Sequence, residues 1–297
     1  MTEFAQQVVN WLTIGGIYSL LALGVAVVFS VLGLINFSHG ELVTIAGYSM
    51  LFFALRGIPW ILAIPLGILA AGIANVLVER VAFRPLRGAP LPSLVLASLA
   101  LSIAIQNLFL LFVGARAKTI EFPEWTQSSF DIGGVVVRYL DIATWVVVAL
   151  TLVAVVWFLR GAVRGLALRA AAEDFEITRL MGIKANSVIR GAFLISGLLA
   201  GIAAFFYLAT TSLVSPTTGF QPLLKGFIAA VIGGLGSLPG AVLGGFVLAA
   251  IEVFAQLALP DSIAPFTDAV VFGLVILVLV FRPSGLMAAK STAVERV

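Results

Sequence analysis

Residues 4 to 40 contain no Asp, Glu, Lys or Arg, and uncharged runs of this kind constrain the fold more than any other feature of the chain. A helix needs about 20 apolar residues to cross the hydrocarbon of a bilayer, where only helices and closed barrels satisfy their own backbone. Further uncharged runs cover 57 to 78, 88 to 115, 142 to 159, 191 to 224 and 226 to 251, and an apolar stretch runs from about Pro265 to Phe281. Glu41 to Leu55 is short alone, but joined to the polar Asn36-Phe37-Ser38-His39-Gly40 it makes a second helix that begins inside the membrane or at its edge. Charged residues are 10% of the 297 and hydrophobic ones 61%, against roughly 25% and 45–50% in a water-soluble domain. The sequence therefore reads as an all-α integral membrane protein. It forms a single transmembrane domain, 1–297, with about eight transmembrane helices and no soluble domain.

The charges set the expected orientation. Arg80, Arg84 and Arg87 fall in the loop 79 to 90. Arg160, Arg164, Arg169, Arg179, Lys184 and Arg190 fall in 160 to 190, and Arg282, Lys290 and Arg296 in the tail. Basic residues beside the membrane collect on the cytoplasmic side, so these three segments are expected there. Loop 114 to 141 mixes Arg116, Lys118 and Arg138 with Glu121, Glu124, Asp131 and Asp141 and is expected outside, as are Asp261 to Asp268 and the N-terminus. Met1 to Asn10 hold no basic residue, so the first run is expected to stay in the mature protein. The net charge of +3 reports this topology, not a nucleic-acid partner.

With Thr211 to Gln221 and Pro260 to Asp268 both outside, the region 223 to 258 must enter and return. Two half-helices are expected there, hinged at Gly233-Gly234-Leu235-Gly236-Ser237-Leu238-Pro239-Gly240, where Ser237 can cap and Pro239 suits a first turn. Two near-full helices with a short inner turn give the same topology. Small residues at four-residue spacing, Gly236/Gly240/Gly244, Gly197/Gly201 and Ala63/Gly67/Ala71, read as faces where helices approach closely. Residues 15 to 55 and 192 to 252 each place a Gly-rich helix before one interrupted by polar residues, as inverted repeats do.

Enzyme chemistry finds no purchase. There is no P-loop, no G-x-S-x-G, no H-E-x-x-H, one histidine and no cysteine, so a nucleotide site, a His-based triad, a thiol nucleophile and a metal site are all excluded. Ionisable residues within spans mark function by default, and here they are His39, Glu41, Lys225 and Glu252. Together with Asn36, Gly233, Gly234, Gly236 and Ser237 they are the candidates for a translocation pathway. Each has a plainer reading. His39 and Glu41 could satisfy a helix start, and Lys225 and Glu252 could form a structural ion pair or snorkel to the interface. Gln106, Asn107, Thr210, Thr211 and Ser212 read as helix-to-helix hydrogen-bonders. Between Arg169 and Ile183 a short amphipathic helix is expected, ended by Gly182. It either lies on the membrane surface or docks in a groove of a cytosolic partner.

Four segments carry a family resemblance. They are Asn36-Phe37-Ser38-His39-Gly40-Glu41-Leu42; Glu79-Arg80-Val81-Ala82-Phe83-Arg84-Pro85-Leu86-Arg87; Ala172-Glu173-Asp174 followed by Leu180-Met181-Gly182-Ile183; and the run from Ala229 to Ala241. In this order, across residue 8 to Leu286, they resemble the permeases of branched-chain amino acid (LIV-type) ABC importers, with Ser38 where Ala is commoner. The resemblance implies uptake across the inner membrane of a prokaryote. An extracytoplasmic binding protein would deliver the small-molecule substrate, a second homologous permease would complete the path, and two cytosolic ATPase subunits would bind ATP and Mg, leaving no cofactor in this chain. Residues 169 to 183 would be the coupling helix, with Phe175, Leu180 and Met181 as apolar contacts, Glu173, Asp174 and Arg179 as a polar rim, and Gly182 at its end. Relatives of the same kind serve urea, short amides or, more distantly, sugars. A gradient-driven carrier or a passive channel is the rival from another class.

Overall fold

The computed structural model describes residues 2–86, 88–173, 175–260 and 266–287. Its helices are α1 (Thr2–Leu32), α2 (Glu41–Leu55), α3 (Trp60–Val78), α4 (Leu91–Phe112), α5 (Tyr139–Gly161), α6 (Val163–Glu173), α7 (Phe175–Leu180), α8 (Ala185–Thr211), α9 (Phe220–Gly233), α10 (Leu238–Ala258) and α11 (Thr267–Phe281). Among the described residues 6 helices are long and apolar enough to cross a membrane: α1, α4, α5, α8, α10 and α3 with its π-helical extension to Phe83. The apolar α9 and α11 are shorter, at 14 and 15 residues.

The centre of the bundle is α1, followed in burial by α8, whereas α4 and α5 keep little surface from the outside. Those two outer helices point Ile103, Leu111, Leu150 and Trp157 outward, a face that suits hydrocarbon and would be an aggregation hazard in water. Packing follows a reciprocal scheme. α1 runs along α10 and α9, α8 along α3 and α2, α2 packs on α3 as α9 packs on α10, and α1 meets α8. Two like groups, α1–α3 and α8–α10, thus make the same contacts, which agrees with the internal repeat read from the sequence.

Small residues bring these helices together backbone to backbone. A Cβ at Gly197 would sit 2.7 Å from the Ala71 carbonyl oxygen, and one at Gly201 2.8 Å from Ile68 Cα. Gly67 packs on Met50 of α2, and Ala63 and Ala71 are fully buried. In the α9–α10 hairpin Gly233 lies against the Gly240 carbonyl and Gly244 against the Ala229 carbonyl. Gly236 departs from expectation. It precedes α10 and takes φ +87 in the turn, beside Gly234 at φ +106, so its backbone freedom shapes the turn and the close approach belongs to Gly233, Gly240 and Gly244. Gly244→Ala, which forces a methyl onto the Ala229 carbonyl, is expected to cost about 1–3 kcal/mol. Thermal unfolding in detergent measures it, and an unchanged midpoint would show that the two helices can part freely there.

The hairpin arms are unequal. By length α9 spans about 21 Å and α10 about 31 Å, so only one arm is as short as the expected half-helices. Ser237 caps α10 by accepting the Gly240 N–H at 3.1 Å, and Pro239 stands in the first turn. The chain after α11 closes over the tip, where Leu286 and Met287 N–H donate to the carbonyls of Ile232 (2.8 Å) and Gly233 (2.9 Å). Those last carbonyls of α9 would otherwise be orphaned.

One segment differs from the expected helices. α1 stops at Leu32, and Gly33 at φ +66 turns the chain before a 3₁₀ turn, Phe37–Gly40, leads into α2. In 169 to 183 the described residues on both sides of position 174 are helical, the helix ends at Leu180, and Gly182 follows at φ +83, as expected of its end. Between α4 and α5, strand β1 (Lys118–Thr119) pairs antiparallel with β4 (Leu213–Val214), and β2 (Ser129–Ile132) with β3 (Val135–Arg138). Ile120 N–H also donates to Ser212 O at 2.9 Å, which ties this loop to the end of α8.

Candidate functional site

The break between α1 and α2 is a buried polar knot. Asn36 caps the 3₁₀ turn, its Oδ1 accepting from Ser38 N–H at 3.0 Å and Ser38 Oγ at 2.6 Å. Asn36 thus does what His39 and Glu41 were read as able to do, and it leaves them free to reach other helices. His39 places Nδ1 3.3 Å from Ser196 Oγ of α8, and its ring packs where a side chain at Gly24 would stand, 2.9 Å from the ideal Cβ. Glu41 Oε1 accepts from Ser102 Oγ (2.8 Å) and Gln106 Nε2 (2.7 Å), both on α4. Gly40 and Gly219 meet back to back, and Gly219 N–H donates to Thr44 Oγ1 at 3.0 Å. The start of α9 therefore rests on the start of α2.

A second polar cluster joins four helices. Lys225 Nζ of α9 bonds Glu252 Oε2 of α10 at 2.9 Å and Asp268 Oδ1 of α11 at 2.8 Å. Tyr18 OH of α1 donates to the same Glu252 oxygen at 2.8 Å. The side chains of Lys225 and Glu252 are 6% and 13% exposed and that of Asp268 53%, so the ammonium is buried and one counter-charge stays at the surface. Of the plainer readings of Lys225 and Glu252, the ion pair is present. The hairpin residues Gly233, Gly234, Gly236 and Ser237 lie at the tip already described, away from both clusters in the chain and joined to them through α9 and α10.

On α7 the described side chains present Ile177, Leu180 and, just after it, Met181 at 59%, 86% and 78% exposure, while Thr178 is buried. Asp174, and the side chains of Glu173, Phe175 and Arg179, lie outside the described residues. An apolar tip projecting from a charged segment is unstable in water without a partner surface to cover it.

Several residues escape a sequence reading. Asp268 sits at a helix start 43 residues from Lys225, and no local periodicity links them. Tyr18, Ser196 and Ser102 are unremarkable in apolar helices, and Ile177 is overshadowed by its charged neighbours. Of the five residues read as helix-to-helix hydrogen-bonders, Gln106 fills that role on Glu41, whereas Asn107, Thr210 and Thr211 donate to carbonyls of their own helices.

Six long apolar helices with outward-facing apolar side chains are those of a multi-pass membrane protein. Sequence comparison sharpens this: residues 7–280 match the family described as branched-chain amino acid transport system / permease component, and the chain belongs to that family. It is 37% identical to the high-affinity branched-chain amino acid transport system permease protein BraD of Pseudomonas aeruginosa, covering 96% of both chains. It is 33% identical to the LivH permease of Salmonella typhimurium and 32% to that of Escherichia coli, each over 96% of this chain and 95% of the relative.

Proposed function

We propose that this chain is the permease subunit of an ATP-driven importer that moves branched-chain and other hydrophobic amino acids across the cytoplasmic membrane by alternating access. The observation that carries the reading is the end-to-end match to permeases of branched-chain amino acid transport systems. Nothing among these relatives favours urea, short amides or a gradient-driven carrier.

In this reading about eight units lie in the bilayer: seven crossings by α1, α2 lengthened by its 3₁₀ turn, α3, α4, α5, α8 and α11, and the α9–α10 hairpin, which enters and returns with α9 as its short arm and faces the pathway. The N-terminus and loop 114–141 lie outside, and loop 160–190 and the C-terminus lie in the cytoplasm. Two cytosolic ATPase subunits bind ATP and Mg and receive the tip of α7. A second homologous permease completes the path, and an extracytoplasmic binding protein delivers the amino acid. Closure of the ATPases pushes α7, which is continuous through α6 with α5 and through 181–184 with α8, and rocks the bundle.

The test is ATP hydrolysis by the tagged chain purified with its native partners, with and without leucine-loaded binding protein. Copurifying ATPases stimulated several-fold by the loaded binding protein are expected. A chain that purifies alone, or an ATPase indifferent to leucine, overturns the reading.

A further inference from the structure

Helix α4 lies at the outside of the bundle and meets α2 at two places. At one, Glu41 accepts from Ser102 and Gln106. At the other, further along both helices, the Tyr48 and Phe109 rings stack with centroids 4.6 Å apart. Alongside and beyond that stack the two helices leave a cavity of about 490 Å³ between them, lined by Ile45, Ser49, Phe52 and Leu55 of α2 and by Phe109 and Val113 of α4. Ile45, Ser49 and Phe52 follow one another at helical spacing and form one stripe. From Ile45 to Leu55 the groove runs about 15 Å, which is half of the roughly 30 Å hydrocarbon core and so the depth of one leaflet.

Cations stand at one end of this stripe. Arg56 follows Phe52 by one more helical step, and its guanidinium lies over the Phe52 ring, 4.4 Å from the centroid. Lys118 is itself in the cavity wall, on a strand held in place by its pairing with β4. Among the described residues neither Arg56 nor Lys118 has a carboxylate within ion-pair distance, whereas Arg138 and Lys225 do. The groove is therefore apolar for one leaflet's depth, open toward the bilayer, and crowned by two cations that lack a counter-charge. A molecule that carries its own anion at the head of a hydrocarbon chain supplies what is missing at both ends. A helix from a protein partner would instead cross both leaflets and would have to bring acidic groups to two fixed points.

We propose that the α2–α4 groove binds one anionic phospholipid, with its headgroup at Arg56 and Lys118 and one acyl chain laid along Ile45, Ser49 and Phe52. The site is independent of the cargo. The chain wedges α4 against α2, and the headgroup ties the end of α2 to β1, which is joined through β4 and Ser212 to the end of α8.

The test uses the intact transporter in nanodiscs of phosphatidylcholine doped with a little phosphatidylglycerol, or with extra phosphatidylcholine, bearing a photoactivatable diazirine in the acyl chain. Adducts are located by mass after digestion. A cation near the surface favours an anionic lipid by about fivefold, so adducts on 45–55 and 109–113 are expected to be at least about tenfold more frequent with phosphatidylglycerol. Arg56→Gln with Lys118→Gln is expected to bring that ratio close to one with the complex still assembled. Arg56→Lys with Lys118→Arg keeps both charges and is expected to preserve most of the preference.

Equal labelling by the two lipids overturns the site, since it describes ordinary boundary lipid. So do phosphatidylglycerol adducts spread just as densely over the Leu150 and Trp157 face of α5. A preference that survives the double glutamine variant, or is lost in the charge-preserving one, overturns it too. Absence of adducts from either lipid does the same, and Ser49→Cys, placed in a chain without cysteine, then shows by cross-linking whether another subunit covers the groove.

Discussion

Lys225→Ala is expected to destabilise the purified chain by about 3–5 kcal/mol, the usual result of removing one partner of a buried ion pair. The mutant leaves Glu252, 13% exposed at its side chain, with only the Tyr18 hydroxyl as a donor among the described residues, and it removes the ion pair between α9 and α11. The double substitution Lys225→Met with Glu252→Gln removes both charges, keeps their volume, and is expected to recover most of the loss. Thermal unfolding in detergent reads both. A single mutant that melts with the unsubstituted chain would show that the cluster contributes nothing to holding α9, α10 and α11 together.

The second large effect is expected at the tip of α7. Leu180→Glu with Met181→Glu replaces two exposed apolar side chains by carboxylates that would have to be buried against an ATPase. Interface anchors of this kind are worth about 2 kcal/mol or more each, so the pair should weaken docking by roughly a thousandfold. The ATPases should no longer copurify and uptake should be lost, while the chain still inserts and unfolds at its usual temperature. Copurification at wild-type yield would place the docking surface elsewhere.

Much of this architecture could be read from the sequence because lipid imposes a simple rule on length and polarity. The runs 57 to 78, 88 to 115 and 142 to 159 became α3, α4 and α5 within a few residues. What escaped depends on contacts between distant segments or on single backbone torsions. Asn36 to Gly40 marked the start of the second helix within the uncharged run 4 to 40, but the end of α1 at Leu32, where Gly33 takes φ +66, had no local signal beyond that glycine. The four-residue spacing of Gly236, Gly240 and Gly244 suggested one face, but α10 begins at Leu238 and the first of the three is a turn residue. His39, Glu41 and Lys225 announced themselves as ionisable groups in apolar surroundings. Their partners Ser196, Ser102 and Asp268 did not, since a serine in a membrane helix, or an aspartate at a helix start, is ordinary until the tertiary fold brings it near a charge.

The Lys225 cluster also has a consequence for biosynthesis. Its two carboxylates lie 27 and 43 residues further along the chain, so the ammonium reaches the insertion machinery ahead of both. A lone lysine at mid-helix costs about 2.5–3.5 kcal/mol to place in the bilayer, and at 14 residues α9 has little apolar length to offset it. The nascent chain therefore has reason to hold α9 in the insertion machinery until α10 brings Glu252. The pair then enters together, and α11 is drawn in last by the charge already waiting for Asp268.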